Sequence, residues 1–199
     1  MAASGSPMAA AYQCKLLNRA EVAEGTMAFY FEKPSPFDFK PGQSADLTLS
    51  NPPDTDSEGN TRTFSIASPP FENHLMFATR MRDTAFKRSL RKAPLGTQVK
   101  VDPPAGSFTL HKNSSKAAVL LAGGIGITPF LSIVRQADHD ALPHKLHLFY
   151  SNRRPRRRSF SRRSSDARKD EPEFPVGMRH DPNVEIEEGM EGRDKSDQS

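Results

Sequence analysis

Ala117-Ala118-Val119-Leu120-Leu121-Ala122 is an unbroken apolar run, and it leads directly into Gly123-Gly124-Ile125-Gly126 and then Thr128-Pro129. A run of this kind fits a strand covered on both faces in a parallel sheet. Thr128 is expected to cap a following helix over 130–137, with Pro129 at its first position. A second apolar run at 146–150 reads as the next strand. The order strand, glycine turn, helix, strand is one parallel crossover unit. Its glycines let backbone approach a phosphate closely, and the amides at the helix start then face the anion. Gly123, Gly124, Ile125, Gly126 and Thr128 are therefore candidate nucleotide-binding positions. The same turn can also form with no ligand at all.

The chain before Lys116 follows a different rule. Its apolar stretches are short and punctuated by Pro34-Ser35-Pro36, Pro41-Gly42, Asn51-Pro52-Pro53 and Pro69-Pro70, in a chain with 17 Pro and 12 Gly. Candidate strands lie at 12–18, 26–32, 43–49, 63–67, 75–82, 98–102 and 107–110. Short strands at this spacing suggest an antiparallel barrel or sandwich. One helix interrupts them at 85–92, with Asp83 or Thr84 as its cap. The single cysteine, Cys14, excludes an internal disulfide framework and reads as a small buried residue. The histidines are scattered, which gives no metal site. No stretch approaches the roughly 20 apolar residues of a membrane helix. The first ten residues do not look like a secretory signal, and on these grounds the expected location is cytoplasmic.

A net charge of +4 conceals a strong asymmetry. Residues 153–169 hold 9 basic residues against 1 acidic, and residues 170–199 hold 10 acidic against 3 basic. Large apolar residues are sparse after Asn152, too few to offset chain entropy in a separate core. The expectation is a weakly folded tail with no further apolar strand. The arginine run could bind nucleic acid by charge. Phe160 is its only aromatic, and the acidic stretch can neutralise it in cis, so a nucleic-acid function is the weakest of the readings.

Two motifs in fixed order resemble the ferredoxin–NADP reductase family. Arg62-Thr63-Phe64-Ser65 is similar to its Arg-x-aromatic-Ser/Thr flavin motif, and Gly123–Pro129 to its pyridine-nucleotide loop. Lys40-Pro41-Gly42-Gln43, Leu95-Gly96 and Phe149–Arg153 add to the match, which spans about 10–155. The resemblance implies a β + α/β chain: an antiparallel β-barrel FAD-binding domain of the ferredoxin-reductase type over 10–113, then an incomplete Rossmann-like NAD(P)-binding domain over 114–155. A flexible 1–9 precedes them, and a disordered charged tail over 156–199 follows.

The activity it implies is an NAD(P)H-dependent FAD oxidoreductase that passes electrons to a small-molecule or electron-carrier acceptor. Arg62 would pair with the flavin pyrophosphate through its planar guanidinium. Phe64, two residues along, would share its side of the strand and pack on the flavin ring, with Thr63 between them in the motif. Ser65 would be the catalytic contact, hydrogen-bonding the hydride-accepting flavin nitrogen. Arg80 and Arg82, on one face of their strand, and the amides of Thr84, Ala85 and Phe86 would hold the pyrophosphate. Ser151 and Arg153 would meet the adenosine ribose and incline the site to NADPH over NADH.

The match fails soon after Pro155, where the arginine run replaces an expected acidic, leucine-rich helix. An altered or truncated C-terminus is the simplest expectation, with flavin binding surviving better than hydride transfer. The alternative is then a flavin-binding fragment without hydride-transfer activity.

Overall fold

The computed structural model describes residues 10–151 and the backbone of 184–188. In chain order the elements are β1 (Tyr12–Ala23), β2 (Thr26–Glu32), β3 (Ser44–Leu49), β4 (Thr61–Ser65), β5 (His74–Arg80), α1 (Ala85–Lys92) and β6 (Gln98–Val101). There follow β7 (Ala118–Gly123), a 3-10 turn at Gly124–Ile127, α2 (Thr128–His139), β8 (Leu146–Ser151) and β9 (Val184–Glu188).

The first six strands form one antiparallel sheet in the order β4-β3-β6-β1-β2-β5. Their period-two pattern decides which side turns inward. In β3, Ala45, Leu47 and Leu49 are buried and the residues between them are not. The sheet curls until its outer strands meet. The Ala67 amide, just past β4, donates to the Met76 carbonyl of β5 at 2.8 Å, and the Met76 amide donates to Ser68 Oγ at 3.0 Å. Phe29, Phe31, Leu47, Phe77, Val99 and Val101 fill the enclosed core beside Cys14 and Leu16. Burying each such phenylalanine contributes about 1.5–3 kcal/mol.

Helix α1 closes one end of this barrel. Thr84 is extended and its hydroxyl accepts from the Lys87 amide at 3.4 Å, so the expected cap is present. Phe86 and Leu90, four apart, both enter the core. Arg91 and Lys92 sit in the last turn, where the helix dipole favours cations, and Pro94 lies just beyond the C-cap.

The expected strand at 107–110 does not form. Pro103 and Pro104 have no amide to donate, so the ladder beyond β6 shrinks to one Ser44–Ala105 bridge. The chain then passes so close to the Pro41-Gly42 turn that a Cβ on Gly42 would lie 2.1 Å from the Phe108 carbonyl oxygen. Gly42 also has φ +94°, so only glycine suits this crossing.

Strands β7, β8 and β9 make a parallel sheet in that order. The third strand corrects the expectation that none follows β8. Its backbone pairs with β8 from Leu146↔Val184 to Tyr150↔Glu188. The 152–183 segment, and with it the arginine run, lies outside the described residues.

A second correction concerns β7, which was expected to be buried on both faces. Ala118, Leu120 and Ala122 are buried under α2, but Val119 is 60% and Leu121 70% exposed. The described helix covers one face only. A third concerns Thr128. It is already helical, at φ −54° and ψ −47°, because the 3-10 turn precedes it, so Ile127 takes the cap position with no side-chain bond.

Helix α2 has two working stripes. Phe130, Leu131, Val134 and Ala137 pack on β7 and β8. Ser132, Arg135, Gln136 and His139 meet the barrel's 68–72 turn. Ser132 Oγ donates to the Ser68 carbonyl at 2.9 Å, and Arg135 pairs with Glu72, whose other carboxylate oxygen is 3.2 Å from His74 Nε2. Gln136 Oε1 accepts from the Phe71 amide at 3.3 Å, and the His139 ring stacks on Phe71 at 4.0 Å. These contacts fix the crossover unit against the barrel.

Candidate functional site

Cations converge where β4 ends of the sheet meets the start of α1. Arg62 lies on β4 with its guanidinium 5.4 Å from the Phe86 ring centre. Lys87 reaches back to the Arg80 carbonyl at 2.7 Å. The Lys87 ammonium is held below its ordinary range, first by partial burial and then by Arg82 and Arg62, with Glu58 opposing. Like charges held this close suit an anionic occupant. The site already engages carboxylates: Arg62 takes Glu58 at 2.6 Å, and the Ala85 amide donates to Asp56 Oδ2 at 2.8 Å.

The four residues of the Arg62–Ser65 motif divide by side. Phe64 is half-buried, with ring centres 6.0 Å from Phe86 and 6.5 Å from Phe77. Thr63 is exposed, and its hydroxyl donates to Asp46. Ser65 lines a cleft of about 330 Å³ with Gly42, Ser44, Gly106, Phe108, Gly126 and Phe130. The cleft thus has walls from the barrel, the 103–117 connection and the glycine turn.

Strand β5 ends at Arg80, so Arg82 lies beyond it in the turn into α1 rather than on a shared strand face. The Arg82 carbonyl accepts from the Thr84 amide at 2.9 Å. Arg80 points elsewhere: its Nη2 lies 3.9 Å from where a Cβ on Gly124 would stand, so it sits beside the glycine turn. The Thr84 hydroxyl is used by the helix cap, and the Phe86 side chain belongs to the core. At this end Ala85 and Phe86 can offer an anion only their amides.

Gly123 closes β7 and Gly124 has φ +51°, which starts the 3-10 turn. Ile125 packs against the barrel residues Ala28, Ala67, Met76 and Ala78, docking the turn on β2 and β5. Thr128 Oγ1 donates to the Ile125 carbonyl at 3.1 Å and stabilises the turn. Ser151 is the register partner of Gly123, so both stand at the carboxyl ends of adjacent parallel strands. That is where open α/β sheets bind ligands. Arg153 lies outside the described residues.

Sequence reading missed Lys87, Asp56, Glu58, Ser44 and Phe108. Lys87 had a signal, a basic residue in the first turn of a helix expected to face an anion. The others depend on loop paths that local patterns do not specify. Among the described residues no three His, Cys, Asp or Glu side chains gather as metal donors, and no helix is long and apolar enough to cross a membrane.

Residues 120–193 match the family model of the oxidoreductase NAD-binding domain, a span that includes β9. Methane monooxygenase component C of Methylosinus trichosporium is 35% identical over 114 residues, covering 56% of this chain and 32% of the relative. Phthalate dioxygenase reductase, described as a modular structure for electron transfer from pyridine nucleotides to [2Fe-2S], superposes with a TM-score of 0.67 at 23% identity. That likeness covers 89% of this chain and 51% of the other. A ferredoxin NADP+ reductase from Neisseria gonorrhoeae with bound FAD and NADP gives 0.60 at 24% identity, covering 72% and 58%. The chain therefore spans between about a third and three fifths of these proteins. A closed antiparallel barrel followed by a parallel unit with its glycine turn is thus the fold this chain shares with these reductases, and its second unit carries the match to the oxidoreductase NAD-binding domain.

Proposed function

We propose that the chain is the flavin- and pyridine-nucleotide-binding core of an electron-transfer reductase, with FAD on the barrel and NAD(P)H at the glycine turn. The observation that carries this reading is the shared cleft, lined by Ser65 of the flavin motif and Gly126 of the nucleotide turn. Two ring systems held by those two elements would face each other there. Its domains are taken as 10–113 for flavin and 114 onward for the nucleotide. The paired β9 and the family match to residue 193 support extending the second domain past 155.

The residues present fit the cofactor. Arg62, Lys87, Arg82 and the Ala85 amide supply the donors that a pyrophosphate needs. Phe64 offers an aromatic face, and Ser65 a hydroxyl at the cleft wall. FAD, when bound, supplies an acceptor of electron pairs that can release electrons singly. The protein's own contribution is to orient the two rings. Phe108 and Phe130, 5.4 Å apart in an edge-to-face contact, wall the cleft with apolar surface. Arg80, beside Gly124, adds positive charge at the nucleotide turn. The acceptor is read as an electron carrier or small molecule, in keeping with the electron transfer to [2Fe-2S] named for phthalate dioxygenase reductase. The expected location is cytoplasmic.

A second reading, a flavin-binding unit that does not complete hydride transfer, is favoured by the outer face of β7, where Val119 and Leu121 are uncovered among the described residues. Titrating the chain with FAD and following flavin fluorescence tests the shared part of both readings. Saturable binding that Arg62→Ala weakens at least about tenfold supports it. Binding indifferent to Arg62 would overturn it.

A further inference from the structure

Both terminal nitrogens of the Arg62 guanidinium are engaged by its own chain. Its Nη2 donates to Glu58 Oε2 at 2.6 Å and lies 3.7 Å from Asp56 Oδ1. Its Nη1 reaches the carbonyls of Glu58, Gly59 and Thr61 at 2.9, 3.1 and 2.7 Å. The other Asp56 oxygen, Oδ2, accepts from the Ala85 amide at the start of α1. Two acids of the β3–β4 loop, Asp56 and Glu58, thus take the guanidinium and the helix amide together. A carboxylate and a phosphate oxygen ask the same things of those donors, a charge-assisted bond and a helix-end amide.

We infer that Asp56 and Glu58 are a built-in competitor for the phosphate anchor, and that cofactor loading requires this loop to release Arg62 and the Ala85 amide. The inference rests on the flavin reading above. The part that has to move is the tip around Asp56 and Glu58, which lies outside the core. Asp54 stays tied to α1 through Arg88 at 2.6 Å and through the Ser89 hydroxyl, which donates to its carbonyl at 3.5 Å. No residue from 50 to 60 is buried, and Glu58 is 61% exposed. Its base is held separately, by Leu49 and Asn60 through a backbone bond of 2.9 Å and a side-chain bond of 2.8 Å. Swinging the tip away therefore leaves β3 paired with β4. It also removes the nearby negative charge that offsets the Arg62, Arg82 and Lys87 cluster. Those cations then become available to the incoming anion.

The test compares the full chain with Glu58→Gln and with the double variant Asp56→Asn/Glu58→Gln, titrated with FAD and, separately, with riboflavin, which has no phosphate. Glu58→Gln is expected to tighten FAD about 2- to 10-fold, and the double variant further. Riboflavin affinity should stay unchanged, and the gain should vanish in an Arg62→Gln background. Unchanged or weaker FAD binding in Glu58→Gln would overturn the inference, while FAD binding by the unaltered chain would leave the flavin reading intact. Equal tightening of riboflavin, or a gain that persists without Arg62, would also overturn it. Absence of FAD binding in every variant would sink the inference together with the flavin reading.

Discussion

The barrel and the crossover unit solve the burial problem in different ways. The barrel closes on itself, and its outer strands meet through Ala67 and Met76, so its inward side chains face one another. The crossover unit has one face under α2 and leaves Val119, Leu121 and Phe149 exposed on the other. Its helix in turn leans on the barrel through Ser132, Arg135 and His139. The barrel is thus the support and the crossover unit the dependent part. That asymmetry bears on function, because the proposed flavin anchors all lie on the barrel, whereas the nucleotide turn needs both.

The largest effect should come from the support. Phe77→Ala removes a ring from the barrel core and should cost about 3–5 kcal/mol in denaturant unfolding. Both units should then unfold together. A surviving crossover unit would contradict the dependence.

Next in size is a paired change on β7. Leu120→Lys places a charge under α2 and should destabilise by at least about 3 kcal/mol, whereas Leu121→Lys on the open face should stay within about 0.5 kcal/mol. Equal costs would show that the outer face is covered. The third change sits between the units. Glu72→Gln leaves Arg135 without its carboxylate and should cost about 1–3 kcal/mol, read as earlier amide exchange in α2 than in β2. Uniform exchange would break the distinction.

The smallest effect concerns Cys14. Burial, and after it the Glu32 carboxylate, push its thiol up to about 12, so it stays protonated well above neutral pH. A thiol reagent at pH 8.5 should label it only as fast as the barrel opens. Rapid labelling would mean the barrel is less closed than its core implies.

What the sequence made legible follows from how local each signal is. The Thr84 cap and the amphipathic α1 needed only their own neighbours. The Arg62–Ser65 motif and the glycine turn combine local residue types with order along the chain. The misread 107–110 stretch has residues a strand would accept, but its pairing was lost at Pro103 and Pro104, several residues away. In β9 the run Val184-Glu185-Ile186-Glu187 has the alternation of a strand, and the heavy negative charge around it concealed that signal. The hold of Glu58 and Asp56 on Arg62 and α1 depends on how a loop folds back, which no period encodes.

The central claim is that the two units meet at one cleft and serve one electron path. Its most direct test is anaerobic: load the full chain with FAD, add NADPH and then NADH, and follow the oxidised-flavin absorbance. The account predicts that the band bleaches on nucleotide addition, and that substituting Ser65 by Ala slows the bleaching far more than it weakens FAD binding. Flavin that stays bound and oxidised under both nucleotides would contradict it.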